Sequence, residues 1–74
     1  MSDIFIEYAI HILRNPQENI AEGAHASICN AFRNCALEND KISAYNNWRT
    51  TYINLYPQNA GAINSLVDDT IDAL

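Results

Sequence analysis

The first segment of the chain is apolar around most of its circumference, and this feature constrains the fold more than any other. On a helical wheel its apolar side chains cover roughly 240°, and Glu7, His11 and Arg14 share the narrow strip that remains with Asp3. Such a helix lies in the centre of a bundle or is covered on a second side by another subunit. Its apolar residues also alternate with a period of two, so a strand over residues 4–13 is an alternative. We favour the helix because no second segment offers a strand to pair with it.

The start of the second helix carries the clearest local signal. Asn15, Pro16 and Glu18 have the spacing of an N-cap, a first helical residue and a capping-box acid. The helix is predicted to run over residues 16–37. Its apolar face consists mostly of small side chains, which allow two helix backbones to approach closely.

Two more helices complete the predicted fold. The third begins after a cap at Asn39 or Asp40 and ends before Pro57, because the residue before proline avoids helical geometry. The fourth has one apolar and one acidic side. The chain is therefore predicted to be a single all-α domain over residues 1–74, a compact bundle of about four short helices at approximately 3–14, 16–37, 41–56 and 59–73.

Aromatic side chains form a stripe along the third helix. Tyr45, Trp48, Tyr52 and Tyr56 are spaced so that they fall within an arc of roughly 80°, and Arg49 stands inside the same face. The stripe is either the core of a small bundle or a surface that binds a partner, since Tyr, Trp and Arg dominate interface energetics. A mixture, with Trp48 inside and Tyr45 and Tyr56 at the rim, is also open.

Three aspartates form the one cluster of like charge, at Asp68, Asp69 and Asp72 on the polar side of the fourth helix. They are either an ordinary solvated face or a contact for a basic partner, in which the tyrosines anchor and the carboxylates steer association. If the stripe is core, Arg49 is expected to stack on a ring or to reach an acid such as Glu7.

The charge of the chain argues against several kinds of partner. Its 74 residues include 9 acidic and 4 basic ones, for a net charge of −5. Direct binding to nucleic acid needs clustered Lys and Arg, whereas the basic residues here are spread along the chain. We therefore expect no direct nucleic-acid contact, and a basic protein suits the charge better. The apolar start is too short to span a membrane and lacks the basic region of a signal peptide, so we expect no membrane contact and a cytoplasmic location.

Groups suited to catalysis or metal binding are sparse. His25 and Cys29 share one side of the second helix, but Cys35 points elsewhere and the chain contains no CxxC or HxxxH pair. We expect no metal site, no catalytic residues and no cofactor. The two cysteines, six residues apart on one helix, cannot bridge within it, so they are predicted to be buried thiols.

Three functional hypotheses follow. The first is a non-enzymatic interaction protein, most concretely a stoichiometric inhibitor of the anti-CRISPR kind that phages and mobile elements encode, acting in a host cytoplasm on a larger basic or nucleic-acid-binding protein. The second is a homo-oligomeric assembly subunit that self-associates through its apolar first helix. The third is a small helix-turn-helix regulator. For the first, the predicted partner-binding residues are Tyr45, Trp48, Arg49, Tyr52, Tyr56, Asp68, Asp69 and Asp72.

Overall fold

Helices account for most of the described backbone. The computed structural model describes residues 4–15 and 23–74, and within those ranges the fold is all-α, as predicted. The first segment is a helix, so the strand alternative is wrong. None of the helices in these ranges is long and apolar enough to cross a membrane. In chain order the elements are α1 (Ile4–Arg14), α2 (Ala24–Asn34), a 3₁₀ turn (Cys35–Leu37), α3 (Lys41–Leu55), a second 3₁₀ turn (Pro57–Asn59) and α4 (Ala60–Asp72).

The junction between α1 and α2 differs from the prediction of one helix over residues 16–37. Asn15 caps the end of α1, since its side-chain amide donates to the carbonyl oxygen of His11 at 2.7 Å. Gly23 has a φ of 124°, a backbone conformation that favours glycine and that no α-helix contains. The helix therefore begins at Ala24, and the predicted start at Pro16 and Glu18 lies outside the described residues.

The start of α3 follows local side-chain chemistry, as predicted. Asp40 is the N-cap, and its carboxylate accepts a hydrogen bond from the backbone N–H of Ser43 at 3.0 Å. That hydrogen bond lowers the pKa of Asp40 from its usual value. At the other end α3 stops at Leu55, and Pro57 opens a 3₁₀ turn that leads directly into α4.

The core lies where all four helices meet. Helix α1 packs against α2 and α4, and α3 packs against α4 and the 3₁₀ turn that follows α2. Small side chains bring α1 and α2 close together, as the sequence predicted: the Cys29 thiol donates to the backbone carbonyl of Ala9 at 3.5 Å. The buried apolar residues are Ile6, Ala9, Ile10, Ile12, Ile28, Cys29, Phe32, Cys35, Tyr45, Trp48, Ile63, Leu66 and Val67.

Candidate interaction surfaces

The first half of the aromatic stripe belongs to the core. Tyr45 and Trp48 are only 4% and 5% exposed. The Trp48 ring packs edge-on against Phe32 with 4.7 Å between centroids, and its indole N–H donates to the carbonyl oxygen of Ile28 at 3.4 Å. Tyr45 packs on the same Phe32 ring at 5.0 Å. The placement of Tyr45 at a rim is therefore wrong, because Phe32 reaches across from α2 and covers it.

The second half of the stripe extends from the core towards solvent. Tyr52 packs on Trp48 with 4.7 Å between centroids, and Tyr56 stacks nearly parallel on Tyr52 at 6.4 Å. Both outer tyrosines are half-buried. Burial raises the pKa of the Tyr52 phenol, and the neighbouring Tyr56 adds to the effect. A partner could touch only this outer end of the stripe without opening the core.

Arg49 ties α3 to α4 instead of stacking on a ring or reaching Glu7. One guanidinium nitrogen lies 2.7 Å from a carboxylate oxygen of Asp68 and also donates to Asn64 at 3.2 Å. The other terminal nitrogen donates to Asn46 at 2.8 Å. Arg49 therefore reaches an acid, as expected, but that acid is Asp68 and not the suggested Glu7, because α4 packs against α3.

The acidic side of α4 is held from both flanks by arginines. On the flank opposite Arg49, Arg14 of α1 forms an ion pair with Asp69 at 3.2 Å and donates to the Ser65 hydroxyl. Within the described ranges Asp72 has no such partner. Two of the three clustered carboxylates, and two of the four basic residues of the chain, are thus paired internally. A partner that used this cluster would have to compete with those arginines.

Matched substitutions on α4 measure how much of this cluster is structural. Asp68→Asn should lower the free energy of unfolding by about 0.5 kcal/mol, because a partly exposed ion pair contributes about that much. Asp72→Asn should raise it by about 0.3 kcal/mol, since negative charge at a helix C-terminus is unfavourable. Urea titrations of both variants at low salt provide the measurement. Equal effects of the same sign would contradict a structural role for the Arg49–Asp68 pair.

Both cysteines are shielded from solvent by burial. Both are free and buried, as predicted, and the Cys35 thiol donates to the carbonyl oxygen of Ala31 at 3.4 Å. Burial raises the pKa of both thiols, although Arg33 partly offsets this for Cys29. In residues 4–15 and 23–74, no group of three or more His, Cys, Asp or Glu side chains could hold a metal ion.

A groove of about 450 Å³ lies between the end of α2 and the start of α3. Cys35 is part of its wall, with its thiol directed to a backbone carbonyl. Asp40 also lines it, although one of its carboxylate oxygens already accepts the cap hydrogen bond from Ser43. Polar and apolar groups both line the groove, and its lining residues are Ala31, Asn34, Cys35, Glu38, Asn39, Asp40, Ser43, Ala44 and Asn47.

The side of α1 that faces away from the bundle exposes large apolar side chains. Ile4, Phe5 and Tyr8 are 73%, 51% and 44% exposed, although the opposite side of the same helix is core. Glu7 and His11 lie on this side as well, and both are exposed. These five residues form what we call the outward face of α1. The predicted site residues did not include them, although the 240° apolar arc was the signal that α1 needs cover on two sides.

Tyr8 is the ordered centre of the outward face. Its ring stacks on His11 with 6.2 Å between centroids and meets the edge of His25 from α2 at 4.9 Å. The Nε2 atom of His25 is buried and has no hydrogen-bond partner among the described residues. The two imidazoles therefore fix the orientation of a tyrosine that is still nearly half exposed.

No family model, curated protein or solved structure matches the chain. The surface used for function must be inferred from the side chains themselves. The inner stripe is core and most of the acidic cluster is paired, whereas the outward face of α1 leaves the large apolar side chains of Ile4, Phe5 and Tyr8 substantially exposed.

Proposed function

We propose that the chain is a non-enzymatic interaction protein that binds a larger protein through the outward face of α1. The observation that carries this proposal is the exposure of Ile4, Phe5 and Tyr8 together on one helix. Single exposed apolar residues are normal on any protein, but a contiguous group of this kind is typical of a contact surface. A stoichiometric inhibitor, which occludes a site on its target, is the concrete form that we favour.

The net charge supports a basic protein as the partner. The chain carries a net charge of −5, and Asp68 and Asp69 already engage two of its four basic residues. Nucleic acid is the less suitable partner, because phosphate binding needs basic side chains that are clustered and available. An acidic chain is instead attracted to a basic protein surface, which accelerates encounter.

Self-assembly is the second candidate, and the same exposed group favours it. Two copies could cover Ile4, Phe5 and Tyr8 by pairing their α1 helices, as in a symmetric dimer. Light scattering during dilution distinguishes the two functions. A monomer at micromolar concentration would leave binding to a different protein as the function of this face.

A photocrosslinking residue on the outward face tests the proposed function directly. Benzoylphenylalanine in place of Ile4 should crosslink to one larger protein in a lysate of the source cell. The matched control carries the same group in place of Leu55, which is 61% exposed at the end of α3 and away from the outward face. We expect a crosslinked product from position 4 and none of the same size from position 55.

Competition with unlabelled chain supplies the specificity control. Excess wild-type protein should abolish the product from position 4, whereas excess Tyr8→Ala protein should not. The same products from positions 4 and 55, or none from either, would contradict a contact through α1. A product made only of two copies of the chain would favour self-assembly.

A further inference from the structure

We infer that the partner holds α1 in an apolar groove with a cationic rim, and that Tyr8 is the principal anchor; this inference rests on the proposed function. The outward face has the pattern of a helix that lies in a groove. Ile4, Tyr8 and His11 occupy positions i, i+4 and i+7 of one helix, and Phe5 widens the same face. Helices that bind in grooves present their anchors at this spacing.

Tyr8 is suited to be the anchor because its position is set before binding. The ring of His11 stacks on it along α1, and the ring of His25 meets it from α2. A side chain that is already ordered loses less conformational entropy when a partner covers it. Tyrosine is also among the residue types that contribute most to binding at interface centres. Phe5 and Ile4 then extend the apolar contact on either side of the ring.

Charge on the outward face indicates what should line the groove. Glu7 is exposed beside the apolar group, and its carboxylate forms no ion pair with a described residue. Arg14, the next charged residue of α1, is turned towards α4, where it pairs with Asp69. The unpaired formal charge on the face is therefore negative, and so is the chain as a whole. Lys or Arg side chains at the rim complement both.

A second copy of the chain fits this face less well than a groove does. The exposed parts of Ile4, Phe5 and Tyr8 amount to about 300 Å², so these side chains would contribute about 600 Å² to a symmetric pair. Specific, stable interfaces bury about 1,200 Å² or more in total, so about half of the interface would have to come from other residues. Pairing would also bring together two chains of charge −5. A concave partner can contact both sides of the outward face of α1 as well as its centre. A basic partner is in addition attracted by the negative charge of the chain.

The test uses the purified protein that crosslinks to position 4, titrated with the full chain in solution. Calorimetry at about 50 mM and about 500 mM salt separates charge from apolar contact, because screening weakens only the former. We expect wild-type affinity to fall at high salt. Tyr8→Ala should weaken binding by about 30-fold or more at either concentration. Glu7→Gln should weaken it several-fold at low salt and little at high salt.

Three controls keep the outcomes separate. Leu55→Ala removes an apolar group that lies outside the face and is more exposed than Tyr8, and it should leave affinity unchanged. Urea titrations confirm that each variant is folded. If Tyr8→Ala is not folded, Tyr8→Phe, which retains the aromatic ring, is used in its place. Affinity that is independent of salt, or that is unchanged in Glu7→Gln, would contradict a cationic rim on the partner. Unchanged affinity in Tyr8→Ala would contradict the role of Tyr8 as the anchor. Failure of position 4 to capture any protein overturns the proposed function, and this inference with it.

Discussion

Trp48→Ala should leave the chain largely unfolded at 25 °C in the absence of denaturant. The indole is buried between Phe32 and Tyr52, and it donates a hydrogen bond to the carbonyl oxygen of Ile28. Truncation of a buried tryptophan costs about 3–5 kcal/mol. A core in a chain of this size supplies roughly 3–5 kcal/mol in total, so little stability remains.

Far-UV circular dichroism during a urea titration measures this effect without relying on the tryptophan itself. Trp48→Phe retains an aromatic ring against Phe32 and should keep a cooperative transition with a lower midpoint. Leu55→Ala removes an exposed side chain from the same helix, and its midpoint should stay close to that of the wild type. A midpoint for Trp48→Ala near the wild-type value would contradict the placement of Trp48 in the core.

Ala9→Leu should destabilise the fold by about 3 kcal/mol, the upper part of the range for overpacked cores. Ala9 has no exposed surface, and its carbonyl oxygen lies 3.5 Å from the thiol of Cys29. There is no room for three more carbon atoms unless α1 and α2 move apart. Such a movement would also loosen the other contacts between these two helices.

The matched control for this substitution is Ala62→Leu on the exposed side of α4. Leucine and alanine have similar helix propensities, so this variant should unfold within about 0.5 kcal/mol of the wild type. Urea titrations of the two variants separate overpacking from any general effect of added apolar surface. Equal stability of Ala9→Leu and Ala62→Leu would show that α1 and α2 are not closely packed at Ala9.

The helices that the sequence predicted best are those with local signals. The cap at Asp40 depends on a residue only three positions away, and Pro57 limits α3 through its own ring geometry. Gly23 was harder, because a glycine inside a helical pattern is often tolerated. Its positive φ ends any continuous helix at that residue.

Tertiary partners were the part that spacing along the chain could not predict. The wheel of α3 placed Arg49 on the aromatic face, but only the packing of α4 against α3 determines that it meets Asp68. The same holds for Arg14 and Asp69, which are far apart in sequence. For α1 the apolar arc predicted a need for cover on two sides, whereas its packing against α2 and α4 determines which residues stay exposed.

Carbene footprinting of the full chain, free and bound to the protein captured from position 4, tests directly whether α1 makes the contact. Diazirine-derived label reports the solvent exposure of side chains in both states, and mass spectrometry assigns it to residues. We expect label on Ile4, Phe5 and Tyr8 to fall on binding, whereas label on α4 around Asp68 and Asp72 should stay the same. Protection of Tyr52, Tyr56 and the α4 aspartates, with α1 unchanged, would contradict this expectation and place the contact on α3 and α4.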